Sequence, residues 1–130
     1  MQALSESLDL ELPAEPESVA EARHAAARLA RHHGAEEADV KIAVSEAVGN
    51  AVLHAYRDRD SGTVVVKGSL IRGRLVFVIT DTGVGMSPNM NSPGLHLGIP
   101  LIGKVAEDMR IDAGSGGTSI SFSFPVAVGA

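Results

Sequence analysis

Glu46, Asn50 and His54 recur at intervals of four within Val44-Ser45-Glu46-Ala47-Val48-Gly49-Asn50-Ala51-Val52-Leu53-His54-Ala55-Tyr56, a segment whose other members are mostly apolar. Four residues carry a helix only about 40° beyond a full turn, so a carboxylate, an amide and an imidazole share one stripe. Burial would normally fill such a stripe with Ala, Val or Leu, and three polar groups converging there read as the beginnings of a site. The competing reading is a helix whose three polar residues are satisfied by packing or by solvent. The stripe alone leaves both open.

Two later segments bear on the choice. Asp81-Thr82-Gly83-Val84-Gly85-Met86 follows the strongest strand signal in the chain, Leu75-Val76-Phe77-Val78-Ile79-Thr80, which puts an aspartate at the mouth of a sheet. The glycines permit backbone geometry closed to other residues and let a flat ligand approach the main chain; an ordinary Asp-Thr-Gly turn is the plainer alternative. Pro93-Gly94-Leu95-His96-Leu97-Gly98-Ile99-Pro100-Leu101-Ile102 is a glycine-bearing loop running into an apolar helix. Such loops offer free N–H groups and a positive dipole end to a phosphate, although Gly and Pro also simply punctuate helix starts.

In this order, and with Gly116-Gly117-Thr118 near the end, the segments resemble the motifs of the Bergerat-type ATP-binding fold, the GHKL superfamily of gyrase B and the histidine kinases. The closest likeness is to its anti-sigma-factor serine kinases. Glu46-x-x-x-Asn50-x-x-x-His54 resembles the N box, Asp81-x-Gly83-x-Gly85 the adenine-binding box, Gly94 to Gly98 the second glycine box, and Gly117-Thr118 the final Gly-Thr. The resemblance spans roughly residues 15–125. It implies a two-layer α/β sandwich, with a mixed, mainly antiparallel sheet and helices on one face.

The resemblance also implies roles. Asp81 would accept a hydrogen bond from the amino group of adenine, with Gly83 and Gly85 crowding the base, Met86 covering its face and Thr118 holding it through a water. Gly94 and Gly98 would face the phosphates, while His96, between them where the kinases often carry glycine, would either hinder close backbone approach or supply a donor to a phosphate. Asn50 would contact the nucleotide and ligate Mg2+, His54 would lie close to nucleotide or sugar, and Glu46 would be the general base. The chemistry agrees with these assignments. A carboxylate accepts from an amino donor, Mg2+ takes oxygen ligands while joining protein to phosphates, and a positioned carboxylate can take the proton of an attacking hydroxyl. Zinc is the rival use of Glu46 and His54, but the stripe supplies no third and fourth ligand.

The implied protein is a cytoplasmic, homodimeric, ATP-dependent serine/threonine protein kinase that phosphorylates an anti-anti-sigma (STAS-type) partner and sequesters a sigma factor. The alternative is a non-catalytic nucleotide-binding switch with the same fold. Glu46 favours the kinase, because binding alone needs no base. The segment between the glycine boxes favours the switch: only eight residues, Met86 to Pro93, separate Gly85 from Gly94, and Thr82 to Gly103 contains no Lys, Arg, Asp or Glu. His96 also stands in a box where the kinases often carry glycine.

The elements that must position these groups follow from composition and periodicity. With 130 residues the chain falls in the range of one domain, spanning residues 1–130, that can bury a core. Hydrophobic residues make up 45%, but no apolar run approaches the roughly 20 residues of a membrane helix, and no basic-then-apolar leader opens the chain. No cysteine is present, so disulfides and thiolate metal sites are excluded. The net charge of −5, from 16 acidic and 11 basic residues, argues against a general nucleic-acid surface.

Leu8, Leu10 and Leu12 alternate with Asp9 and Glu11 as an edge strand does, and Pro13 ends that pattern. A first helix is expected from Pro16 to a stop at Gly34, burying Val19, Ala22, Ala26 and Leu29. A second, from about Glu36 to Tyr56, carries the polar stripe, with Ile42, Val44, Val48, Val52 and Leu53 as apolar contacts. Thr63–Ile71 and Arg74–Thr80 form a hairpin through Arg72-Gly73. A third helix is expected from about Gly98 to Glu107, then a hairpin of Met109–Ala113 and Thr118–Pro125. With one Tyr, three Phe and no Trp, the core must pack mainly through aliphatic groups.

Overall fold

Alternation and punctuation in the sequence translate, among the described residues, into eight elements. The structure, a computed structural model, describes residues 7–58, 62–81, 98–114 and 117–127. The elements are β1 (Leu8–Pro13), α1 (Pro16–His33), α2 (Glu37–Asp58), β2 (Thr63–Ile71), β3 (Arg74–Asp81), α3 (Gly98–Val105), β4 (Glu107–Gly114) and β5 (Gly117–Pro125). The strands form one sheet in the order β1-β2-β3-β5-β4, and each of these ladders is antiparallel. The helices back one face, giving the expected two-layer α/β sandwich.

Local chemistry sets the element ends. Pro16 opens α1, where a missing N–H costs nothing. Gly34 closes it in the left-handed region at φ 78°, its N–H donating to the Ala30 carbonyl as a C-terminal cap. The buried Ser18 hydroxyl donates to the Pro13 carbonyl at 2.5 Å, tying α1 to the end of β1. Arg72 and Gly73 both have positive φ, 54° and 78°, which is the mirror-image type I′ turn whose twist matches a two-residue hairpin. That turn sets the register from Ile71↔Arg74 to Val64↔Asp81, so Asp81 ends β3 at the far side of the sheet from the turn.

The core lies between sheet and helices. Leu75, Phe77 and Ile79 of β3 and Ile120, Phe122 and Phe124 of β5 are buried against Ala26, Ala30, Val44 and Val48. The only three phenylalanines of the chain form a cluster with centroids 5.8–6.1 Å apart in tilted and edge-to-face contacts. Gly68 permits this packing, since a Cβ there would lie 2.8 Å from Phe77 Cε1 and 2.9 Å from Leu29 Cδ2.

Two expectations shift. The third helix stops at Val105 and β4 begins at Glu107. Arg74 pairs with Glu107 and donates to Ser123 Oγ at 3.2 Å, which draws Glu107 into the ladder opposite Ser123. A bulge between Glu107 and Arg110, with Asp108 at φ 53°, then restores the alternation. Ile42 and Leu53, expected as apolar contacts of α2, are 37% and 46% exposed. The helix buries Val40, Ala43, Val44, Ala47, Val48, Ala51 and Val52 instead, and Ile42 and Leu53 lie off that arc.

Candidate functional site

The inner face of α2 narrows to alanine where it crosses the ends of β3 and β5. Ala47 and Ala51 leave a recess, lined also by Asn50 from α2, Ile79 and Asp81 from β3, and Thr118 and Ile120 from β5. The space within it that a water can enter is about 10 Å³, near the minimum that holds one water. Counting the open mouth, its empty space is about 220 Å³.

Strand parity brings the polar groups there. Asp81 and Thr118 are direct cross-strand partners on the helix-facing side of the sheet, and the hydroxyls of Thr80 and Ser119 meet at 3.0 Å on the opposite face, pinning the register. Asn50, Asp81 and Thr118 are only 7%, 3% and 5% exposed. Asp81 is engaged within the protein. Asn50 Nδ2 and Thr118 Oγ1, by contrast, are buried with no hydrogen-bond partner among the described residues. Each such group costs about 1–3 kcal/mol, and native proteins leave few of them. Two in one small recess, beside a buried carboxylate, give that recess hydrogen-bonding capacity the described residues leave unused.

Glu46 lies one helical turn before Asn50, about 6 Å along the axis, and is only half-buried. It flanks the recess rather than lining it. His54 falls on α2 by its backbone, with its side chain outside the described residues, and Gly98 opens α3. Gly83, Gly85, Met86, Gly94 and His96 lie outside the described residues. The structure thus gathers Asn50, Asp81 and Thr118 from three elements and sets Glu46 beside them. Sequence reasoning missed the apolar wall: Ala47, Ala51, Ile79 and Ile120. The small residues on either side of Asn50 were the available signal, because a buried helix face that loses volume beside a polar side chain leaves a hollow.

An antiparallel sheet backed by helices, with Asn50, Asp81 and Thr118 buried in a largely apolar recess beneath the long helix, is an arrangement that can hold a nucleotide. The model of the family described as histidine kinase-like ATPase domain matches residues 12–124, and the chain belongs to this family, within the anti-sigma-factor serine kinases of the GHKL superfamily. It is 33% identical over 114 residues to the serine-protein kinase RsbW of Listeria monocytogenes serotype 4a, covering 85% of this chain and 71% of the relative. To the serine-protein kinase RsbW of Bacillus cereus it is 32% identical over 124 residues, covering 82% and 77%.

Among solved structures, the RsbU and RsbW domains of a Mycobacterium tuberculosis protein superpose with a TM-score of 0.73 at 26% identity, covering 92% of this chain and 32% of that one. The histidine kinase domain of a blue-light activated kinase from Erythrobacter litoralis gives 0.58 at 28% identity, covering 69% and 47%. This chain therefore spans less than half of either solved neighbour. Among the described residues no helix is long and apolar enough to cross a membrane.

Proposed function

We propose that this chain is an ATP-dependent serine kinase that phosphorylates an anti-anti-sigma partner and sequesters a sigma factor, acting as a cytoplasmic homodimer. The observation that carries the nucleotide site is the recess in which the unpartnered Asn50 amide and Thr118 hydroxyl stand beside the buried Asp81. Asp81 accepts from the adenine amino group, which selects against the carbonyl that guanine presents at that position. Thr118 reaches the base through a water, for which the recess is just large enough.

Asn50 fits a hard cation as well as a nucleotide. Rotating its amide by 180° exchanges nitrogen for oxygen at nearly the same positions, so the unpartnered end can present the oxygen that Mg2+ prefers. Bound there, Mg2+ would neutralise charge on the triphosphate. Gly83, Gly85 and Met86 are assigned to the base, Gly94, His96 and Gly98 to the phosphates, and His54 to the nucleotide or sugar. Glu46, on the more exposed flank, is placed to accept the proton of an incoming serine hydroxyl while Asn50 holds the nucleotide side.

Glu46→Gln tests this reading. Transfer to a purified anti-anti-sigma protein should fall by about 10²–10⁴-fold, with ATP affinity by calorimetry changed no more than a few-fold. Equal transfer by the variant would remove Glu46 as the base. The uncharged stretch from Thr82 to Gly103 favours a second reading, a nucleotide-responsive switch, and the same assay decides: ATP binding by the unmodified protein without transfer to any serine selects the switch.

A further inference from the structure

β1 is an edge strand, and its outer side has a chemistry of its own. Ala14 N–H donates to the Gly62 carbonyl at 2.9 Å, which marks the 14/62 pair as hydrogen-bonded. Antiparallel ladders alternate, so Leu8, Leu10 and Leu12, opposite Gly68, Val66 and Val64, spend their N–H and C=O groups on β2. Ser7, Asp9 and Glu11 direct theirs outward. Pro13 shares that outward parity, which is why its missing N–H leaves the ladder intact. The exposed side chains of Asp9 and Glu11 lie on the helix-free face. On the other face, between the start of the strand and α1, lies a hollow of about 320 Å³ lined by Ser7, Leu8, Ala25, Arg28, Leu29 and His32.

We infer that this edge accepts an extended segment of a partner polypeptide as an added strand, with basic side chains beside Asp9 and Glu11 and apolar or acidic side chains in the hollow against Leu8, Leu29, Arg28 and His32. Strand addition takes its affinity from main-chain hydrogen bonds and its specificity from pockets for alternate side chains, and both halves are present. Charge selects the occupant. A second copy of β1 would set its own Asp9 and Glu11 on the same face as these two, and like charges across a ladder destabilise it. An edge without lysine or a bulge is otherwise a liability; here the acidic pair bars self-pairing while leaving the edge open to a basic strand. This surface shares no lining residue with the recess under α2 and stands independently of the kinase reading.

The probe is a capped hexapeptide alternating Lys with Leu, Glu and Leu, titrated into the full chain by calorimetry and backbone amide NMR, without nucleotide. Binding should shift the amides of Ser7, Asp9 and Glu11. Asp9→Lys with Glu11→Lys, and separately Arg28→Glu, should weaken it at least tenfold with the melting temperature unchanged. A peptide of equal charge with proline at a ladder position should not bind. Equal binding of the proline peptide would overturn the proposal, because attraction to a chain of charge −5 would then explain it. So would no binding at millimolar peptide, or self-association that already protects the Asp9 and Glu11 amides, which would assign the edge to a second copy. None of these outcomes touches ATP binding, so this inference and the kinase reading fail separately.

Discussion

A buried hydroxyl with no partner distinguishes a binding role from a structural one. Thr118 Oγ1 contributes nothing to the fold that Val would not, so Thr118→Val should raise the unfolding free energy of the ligand-free protein by about 1 kcal/mol while weakening ATP binding. Urea denaturation and calorimetry on one sample check both halves. Opposite signs in the two measurements identify a site; a loss of stability identifies a structural threonine. Arg31 and Glu37 give a contrasting case, joined at 2.8 Å across the turn between α1 and α2. The hydrogen bond from Arg31 holds the Glu37 carboxyl below its usual range. A lowered carboxylate pKa stabilises above the unfolded-state value, and that contribution disappears as pH falls through the lowered one. Both side chains are exposed, so the contribution is small. Arg31→Gln should return Glu37 to the ordinary carboxylate range in an NMR titration, with little change in melting temperature at neutral pH.

Two glycines inside regular elements predict opposite responses to the same substitution. Gly49 sits in the middle of α2, and a Cβ there would meet nothing within 4 Å. Gly49→Ala should therefore stabilise by up to about 1 kcal/mol, the helix-propensity difference. Gly68 sits in β2 against Phe77 and Leu29, where the added Cβ would come within 2.8 Å. Gly68→Ala should destabilise by about 1–3 kcal/mol through overpacking. Thermal and urea unfolding of the two variants provide the check. Neither response can be read from a glycine in a sequence, because the sign depends on what faces it. Most element boundaries were nevertheless legible: Pro16 and Gly34 bracket α1, and Arg72-Gly73 makes the hairpin turn. The start of β4 was not, because Glu107 joins the ladder through Arg74, which is 33 residues away.

At the scale of the whole molecule, α2 and the sheet must each stay in place for Asn50 to face Asp81 and Thr118. A ligand bridging them should stabilise the fold as a unit. At a concentration 100 times its dissociation constant, ATP with Mg2+ should add about 2.7 kcal/mol, a rise in melting temperature on the order of 10 °C for a chain of this length. Thermal unfolding with and without nucleotide measures it. A rise that Thr118→Val reduces would tie the stabilisation to the recess; no rise at millimolar nucleotide would remove the ATP reading.

The sequence by itself determined the two-layer fold and the order of its elements, and it singled out the polar residues proposed for the site. Periodicity and turn chemistry are local, and Glu46, Asn50, Asp81 and Thr118 stand out as polar groups where apolar ones are expected. Tertiary structure decided what surrounds them. That Asp81 and Thr118 face each other depends on the register of β3 against β5, two strands far apart in the sequence whose Thr80 and Ser119 hydroxyls meet at 3.0 Å. That Asn50 and Thr118 lack partners among the described residues depends on Ala47 and Ala51 leaving space beside them. That Ile42 and Leu53 are exposed depends on which arc of α2 meets its neighbours. Each is a question of which distant atoms share a volume, and no local pattern in the chain encodes it.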